Sequence, residues 1–290
     1  MSLVAELLER AARATPASFE DRSSGWWLRH GDGGAWWAGA VLAHGSTGGV
    51  DRAEDVDRAE DADQAEIVEL GERIALAERF YAEHRAPARF QICAGCAPGL
   101  DAELAARGYR WESPISLLHK SGDGPVPARP APGLRVRVSS ELDVDWLKVL
   151  RQVDPLADVE HEARLLRGVG PPSAYVTVRA GAEPVAVGRA VAENGWTGVF
   201  SMATAPQARR LGAARLVLSA INGWAQKQGA SRLYLQVEAS NSTAAHLYES
   251  FGFAPLATYH YRVRSQASPE SRRRGSSKRD VVESSTASTS

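Results

Sequence analysis

The stretch that decides the fold is WTGVFSMATAPQARRLGAA, residues 196–214, in which an apolar run leads through a short loop into the start of a helix. The run ends at Thr204, and the loop carries Arg209, Arg210 and Gly212. A glycine-bearing turn that opens a helix presents unpaired backbone N–H groups and the positive end of the helix dipole to an anion. The arginines add positive charge beside the same turn. The stretch therefore favours a phosphate-binding loop, although RxxGxA taken alone also turns up by chance in other helices.

The segment after this loop is predicted to continue as helix, strand and second helix. Residues 212–228 place apolar side chains at helical spacing, which predicts an amphipathic helix. In residues 232–238 apolar side chains alternate with Tyr234, Gln236 and Glu238, which predicts a strand with one face in the core. A second helix then begins after Asn241, a residue type that caps helices. A helix that connects two such strands implies that the strands are parallel.

The order strand, RxxGxA loop, helix, strand ending in Glu, NxxAxxLY and Gly-Phe resembles the GNAT superfamily of N-acetyltransferases. The resemblance covers residues 134–265 almost entirely. It implies an α/β fold of the α+β kind, the GNAT fold, with a mixed central sheet whose splayed parallel strands are flanked by helices. It also implies acetyl coenzyme A (acetyl-CoA) as donor, an amine as acceptor and therefore an acyltransferase activity.

The same resemblance implies which residues contact the cofactor. The backbone of residues 202–204 would pair with the pantetheine arm, and the N–H groups of residues 209–214 would hold the pyrophosphate. Asn241 would touch the arm from the next element. The cofactor-binding residues implied in this way are Met202, Ala203, Thr204, Arg209, Arg210, Leu211, Gly212, Ala213, Ala214 and Asn241.

Two residues are candidates for the chemistry itself. Tyr248 occupies the position of the family's usual general acid, and a phenol with an ordinary pKa of about 10 can give its proton to a departing thiolate. Helical spacing alone would also explain Tyr248 as a core aromatic. Glu238 is the candidate base, or else a carboxylate that orders water or binds a cationic acceptor. Asp154, Asp158 and Glu160 are alternative candidates that would favour a cationic amine, or else they form a solvated face.

Residues 1–121 are predicted to form a degenerate GNAT-like N-terminal domain. Their segment 100–110, LDAELAARGYR, resembles the closing helix and Gly-Phe turn of residues 134–265, but no RxxGxG/A loop precedes it. We refer to residues 1–121 as the first block and to residues 134–265 as the second block. We expect the first block to shape the acceptor site or to pair across a pseudo-twofold axis rather than to hold the cofactor. Within it, residues 51–66 hold eight acidic and two basic side chains, which favours a solvated insertion or a charged helix extension.

The remaining boundaries follow from composition. Residues 122–133, GDGPVPARPAPG, predict a Pro-rich linker, because proline lacks an N–H group and has a fixed φ. Residues 134–265 would form the catalytic domain. Residues 266–290 have no periodic apolar pattern and are predicted to be a disordered tail.

Charge and cysteine content limit the partners. The 34 Lys+Arg nearly balance the 35 Asp+Glu, so net charge gives no reason to expect binding to nucleic acid or to a membrane. Cys93 and Cys96 form a lone CxxC without the second ligand pair of a structural zinc site, and we expect no metal. The start of the chain has no signal-peptide pattern. These features predict a cytoplasmic protein.

We therefore predict a tandem GNAT N-acetyltransferase that transfers an acetyl group from acetyl-CoA to a primary amine by direct attack in a ternary complex. The alternatives are a non-catalytic acyl-CoA-binding regulatory module and a protein lysine acetyltransferase. The sequence leaves open whether the acceptor is a small molecule or a protein lysine, which acyl chain is preferred, and whether the protein forms a homodimer.

Overall fold

The predicted α/β architecture is present in a computed structural model, which describes residues 2–31, 39–44, 59–121, 132–155, 158–170 and 172–264. The helices are α1 (Leu3–Ala14), α2 (Ala59–Glu83), α3 (Leu100–Ala106), α4 (Val144–Val153), α5 (Val159–Arg167), α6 (Ala213–Lys227) and α7 (Ser242–Glu249). The strands are β1 (Phe19–Asp21), β2 (Leu28–His30), β3 (Val41–Leu42), β4 (Arg89–Ile92), β5 (Arg110–Lys120), β6 (Leu134–Ser139), β7 (Ser173–Ala180), β8 (Glu183–Glu193), β9 (Trp196–Thr204), β10 (Arg232–Glu238) and β11 (Ala254–Val263).

One mixed sheet of nine strands organises the molecule, in the order β3-β4-β11-β5-β10-β9-β8-β7-β6. β1 and β2 form a separate antiparallel ribbon. β9 and β10 are parallel and are joined by α6, whereas β6 to β9 pair antiparallel with one another. The predicted mixed sheet with a parallel pair flanked by helices is therefore confirmed.

The two sequence blocks exchange a strand within this sheet. β5, the last strand of the first block, lies between β10 and β11 and is antiparallel to both. β11, the last strand of the second block, lies between β5 and β4. Each block thus covers a sheet edge that the other would leave unpaired.

The blocks also repeat one local topology. In the first block, β3 and β4 are parallel, α2 lies between them in the chain, and α3 and β5 follow. In the second block, β9, α6, β10, α7 and β11 occur in the same order. In this repeat β3, β4 and β5 correspond to β9, β10 and β11. The strand order β3-β4-β11-β5-β10-β9 therefore reads the same from either end when each strand is replaced by its counterpart. This is the strand order that two related halves would form across a pseudo-twofold axis.

Both faces of the sheet are covered. The apolar side of α6, including Val217 and Ile221, packs on one face. α1 covers the other face together with a cluster that includes Trp196 and Tyr234. The alternation in β10 predicts that Tyr234 lies on the polar side, and this expectation is wrong, because Tyr234 is only 2% exposed. The alternating pattern predicts a solvent-exposed face, but the first block packs on that face and buries it.

Several predicted segments lie wholly or partly outside the described residues. These are residues 122–131 of the Pro-rich linker, the tail at 266–290 and residues 51–58 of the acidic segment. Residues 59–66 of the acidic segment form the first part of α2, which agrees with a charged helix extension. In the part of the chain that is described, no helix is long and apolar enough to cross a membrane.

Candidate active site

β9 and β10 separate at the point where the predicted site residues begin. Their parallel pairing ends at Val199 and Leu235, while β9 continues to Thr204 and β10 continues to Glu238. The edge of residues 200–204 that faces β10 therefore carries backbone groups with no partner in that strand. Such groups can bind an extended ligand in the way that a sheet edge binds an added strand. The predicted splay of the parallel strands is confirmed.

A β-bulge lies at the same place in β9. Ser201 has a φ of 50°, and β9 has one extra residue between the pairs Phe200–Arg189 and Ala203–Val187. A bulge bends its strand and increases the local twist, which redirects the groups that follow. No pattern in the sequence reveals this bulge, because serine has no special preference for a positive φ.

The loop before α6 has the geometry of an anion-binding turn. A 3₁₀ turn over Pro206–Ala208 leads to Arg210 and Gly212, which adopt left-handed conformations with φ of 63° and 80°. The first N–H groups of any helix have no intrahelical partner. Gly212, the N-cap of α6, has no side chain that could accept a hydrogen bond from them. Arg209 and Arg210 are exposed beside them. The turn thus offers N–H groups and positive charge to an anion.

Space remains above this turn. An added Cβ at Gly212 would have nothing within 4 Å, and Leu211 is exposed. Ala213 is buried and Ala214 is half-buried, so the small side chains at the start of α6 point toward the protein. Backbone groups therefore form the exposed side of the turn. Because no large side chain covers these groups, a ligand can approach them closely.

The other predicted residues meet at a cavity of about 490 Å³ beside the splay. Glu238, Asn241 and Tyr248 line it together with Ser201 and Met202. The remaining walls come from β5, β11 and the first-block elements α1, β2, β3 and β4. Among the described lining residues, Glu238 is the one carboxylate. The structure therefore brings both candidate catalytic residues to one cavity, which both blocks enclose.

Tyr248 is held as a protonated phenol. Its side chain is 7% exposed and packs edge-on against Phe253. Burial raises the pKa of Tyr248 to about 12. Its hydroxyl makes no hydrogen bond within the described part of the chain and is available to a ligand. The side chain is thus both a core aromatic, as its helical spacing predicts, and a lining residue of the cavity.

Asn241 caps the helix that carries Tyr248. The backbone N–H of Ala244 donates to the side-chain oxygen of Asn241 at 3.0 Å, as the sequence predicts for an N-cap. This bond uses the carbonyl oxygen and leaves the side-chain N–H₂ group to donate to a ligand.

The alternative acidic residues lie away from the cavity. Asp158 caps α5 by accepting from the N–H of His161 at 2.9 Å, and Glu160 forms an exposed ion pair with Arg151 at 2.7 Å. Asp154 is the C-cap of α4. None of these three carboxylates lines the cavity. The geometry therefore favours Glu238 over them as a group that meets an acceptor.

Sequence reasoning missed a buried charge beside the site. Arg189 in β8 is fully buried, and its guanidinium nitrogens have no hydrogen-bond partner among the residues that the structure describes. Its guanidinium lies 4.9 Å from the ring centre of Phe200, and burial lowers its pKa to about 10. Burial also raises the pKa of Glu162, although the charge of Arg189 opposes that shift. The arginine within the apolar run VAVGRAVA, residues 185–192, is the signal that could have revealed it.

Comparisons with known proteins agree with this geometry. Residues 141–253 match the Acetyltransferase (GNAT) family. The uncharacterized N-acetyltransferase YobR of Bacillus subtilis (strain 168) is 24% identical over 195 residues, which are 64% of this chain and 76% of that protein. A GCN5-related N-acetyltransferase from Kribbella flavida has a TM-score of 0.64 at 16% identity, with 93% of this chain and 99% of that chain covered. A tandem GNAT protein from the clavulanic acid biosynthesis pathway has a TM-score of 0.54 at 14% identity, with coverages of 68% and 70%.

Residues 141–253 therefore form a domain of the acetyltransferase (GNAT) family, and the similarity to an N-acetyltransferase supports an acyltransferase activity. The family assignment agrees with the resemblance that the motifs indicate. The solved structures are less than 25% identical, so they show the shared fold and nothing about the acceptor.

Proposed function

We propose that this protein transfers an acetyl group from acetyl-CoA to a primary amine by direct attack in a ternary complex. The observation that carries the proposal is the common position of three features: the splay between β9 and β10, the turn before α6, and the cavity lined by Glu238 and Tyr248. Membership of the GNAT family supports acetyl-CoA as the donor.

The donor would bind along the splay. The pyrophosphate would accept hydrogen bonds from the N–H groups of residues 209–214, with Arg209 and Arg210 beside it. The pantetheine arm would pair with the free backbone of residues 202–204, and the side-chain N–H₂ group of Asn241 would donate to it. These contacts would direct the thioester toward the cavity.

The reaction needs two proton transfers. The amine nitrogen attacks the thioester carbonyl carbon, and Glu238 takes a proton from that nitrogen directly or through a water molecule. The carbon–sulfur bond breaks, and Tyr248 gives its proton to the departing sulfur. The products are the N-acetylated amine and coenzyme A, and solvent water returns the proton from Glu238 to the phenolate. The raised pKa of Tyr248 supports this role, because the phenol enters each cycle protonated.

The cavity favours a small amine over a protein lysine. A volume of about 490 Å³ lies within the range of small-molecule sites, and walls from both blocks limit access by a folded protein. Glu238 would attract the cationic form of the acceptor, which must first release one proton to solvent so that the neutral amine can attack. We include in the proposal that residues 1–121 are a degenerate GNAT-like half, which walls the acceptor site, and that residues 134–265 are the catalytic half. The repeated topology of the blocks supports this division.

The test uses the purified full chain. Calorimetry with acetyl-CoA should show saturable binding, and a thiol-release assay with a panel of small primary amines and lysine peptides should show turnover with a small amine. Absence of heat with acetyl-CoA would contradict the proposal. Binding without thiol release from any amine would instead support the regulatory-module alternative, and turnover restricted to peptides would support the lysine acetyltransferase.

A further inference from the structure

A second group of reactive side chains lies in the first block, apart from the acyl-transfer site. His44 follows β3, and Cys93 and Cys96 follow β4. One ring nitrogen of His44 and the two cysteine sulfurs lie within 4.8 Å of one another. The two sulfur atoms are 3.3 Å apart. The CxxC pair, which looks isolated in the sequence, thus has a histidine beside it in the fold.

Strand register explains why the three residues meet. β3 and β4 are parallel, with Leu42 opposite Gln91. Two residues further along each strand are His44 and Cys93, so both leave the sheet side by side at its carboxyl edge. The next turn brings the second cysteine to the same place.

That turn is tight. The N–H of Cys96 donates to the carbonyl oxygen of Cys93 at 3.2 Å, and Gly95 has a φ of 95°. A β-turn that requires a positive φ at its third residue favours glycine there. The N–H of Cys93 also donates to the sulfur of Cys96 at 3.2 Å. The backbone therefore holds both sulfurs on one side of the turn.

His44 supplies an independent observation. Its side chain is 8% exposed, and apart from an interaction with the Cys96 thiol neither ring nitrogen has a hydrogen-bond partner in the part of the chain that the structure describes. A buried polar atom without a partner costs free energy, and native proteins rarely leave one. A cation bound between the imidazole and the nearby sulfurs would satisfy one of these nitrogens.

We propose that His44, Cys93 and Cys96 bind a zinc ion, with a water molecule as the fourth ligand. Two thiolates and an imidazole are ligands that zinc prefers, and two thiolates neutralise its charge. No carboxylate belongs to this cluster among the described residues, which disfavours calcium and magnesium. Tetrahedral coordination needs ligand atoms about 3.3–3.8 Å apart, which small side-chain rotations would reach. Binding releases the two thiol protons to solvent.

The sequence-based expectation of no metal rests on the missing second CxxC pair. The structure places His44, which follows a different strand, beside the cysteine pair as a third candidate ligand. The zinc ion would lie at the carboxyl ends of β3 and β4. The equivalent strands of the second block are β9 and β10, whose carboxyl ends carry the proposed acyl-transfer site. Leu42 and Gln91, the last paired residues before the cluster, both line the cavity, so the ion would fix one cavity wall.

The experiment measures metal on the full chain, purified under reducing conditions, stripped with a chelator and then titrated with Zn²⁺ or Co²⁺. The wild-type chain should retain about one zinc per chain after desalting, and cobalt should give the visible bands and thiolate charge-transfer absorption of a tetrahedral site. His44→Ala and Cys96→Ser should lower zinc affinity by at least about 100-fold. His84→Ala is the matched control, because the His84 ring interacts with the carbonyl oxygen of Phe80 at 2.8 Å outside the cluster.

Three results would overturn the zinc site. The first is a reduced wild-type chain that retains less than about one-tenth of a zinc. The second is unchanged affinity in both cluster variants. The third is a Cys93–Cys96 disulfide whose reduction does not restore zinc binding. Thermal unfolding separates binding from misfolding, because zinc should raise the midpoint of the wild-type chain and of His84→Ala but not of a folded His44→Ala. Acetyl-CoA calorimetry is independent of these outcomes.

Discussion

The two blocks share a topology but differ at the carboxyl ends of their parallel strands. In the second block, β9 and β10 separate beside a loop with two left-handed residues, and their ends carry Glu238 and the bulge at Ser201. In the first block, the same edge carries His44, Cys93 and Cys96. The difference teaches that the topology provides a place for a site, while the loops and side chains at that place decide its chemistry.

The two blocks also differ in the hydrogen bonding of a buried arginine. In the first block, Arg29 donates to the carbonyl oxygens of Ala12, at 2.8 Å, and Thr15, and lies 3.5 Å from Glu20. In the second block, Arg189 is equally buried, but its guanidinium has no hydrogen-bond partner in the described chain. One arginine therefore holds local structure together, while the other costs stability beside the candidate site.

The largest expected effect concerns the general acid. Tyr248→Phe should lower kcat by about 10²- to 10³-fold, because the departing thiolate loses its proton donor. The acetyl-CoA affinity measured by calorimetry should stay nearly the same. Tyr109→Phe is the matched control in the first block, where the Tyr109 hydroxyl donates to Glu78 at 2.9 Å, and it should leave kcat unchanged. An unchanged kcat in Tyr248→Phe would remove the proposed role.

The second prediction compares the two buried arginines through urea unfolding. Arg29→Met should lower the free energy of unfolding by about 3 kcal/mol, because two carbonyl oxygens and Glu20 lose their partner. Arg189→Met should leave that free energy unchanged or raise it by about 1–2 kcal/mol, because it removes an unpaired buried charge. Equal losses in the two variants would contradict the difference drawn between the blocks.

The third prediction compares two glycines with the same backbone. Gly212 and Gly108 both have a φ of 80°, and an added Cβ would meet nothing within 4 Å at either position. Alanine should therefore cost about 1 kcal/mol of stability at both sites. Only Gly212→Ala should weaken acetyl-CoA binding, by about tenfold, because it disturbs the turn whose N–H groups hold the pyrophosphate. Equal weakening by Gly108→Ala would argue against that turn.

The smallest expected effect is an absence of pH dependence. Burial raises the pKa of Tyr248 to about 12. The protonated phenol therefore persists as the pH rises through the ordinary phenol pKa of about 10, and it is lost only near the raised pKa. The kcat measured between about pH 8 and about pH 10 should therefore show no fall from Tyr248 ionisation. A fall with a midpoint near 10 that disappears in Tyr248→Phe would show that the phenol is not held in the buried state.

Much of the second block was predictable because its signals are local. The alternation in residues 232–238 predicts β10 with its observed bounds, and the capping residue Asn241 marks the start of α7. The order of the RxxGxA loop, the strand and NxxAxxLY led to the GNAT family, which the comparisons support. The roles of the individual site residues stay predictions, because no ligand contact has tested them.

The features that escaped prediction depend on distant parts of the chain. Neither β5 nor its place between β10 and β11 was predicted, because strand pairing across blocks leaves no periodic signal. The buried position of Tyr234 follows from the same packing of the first block on the sheet. Arg189 likewise shows its missing partners only in the folded chain.

By itself, the sequence determined α6, β10, α7 and the phosphate-loop motif, because periodicity, capping and turn preferences act between residues close in the chain. Only the tertiary structure decided the strand exchange, the cavity walled by both blocks and the meeting of His44 with Cys93 and Cys96. These depend on sheet register and on the packing of one block against the other, which bring together residues that no local pattern connects.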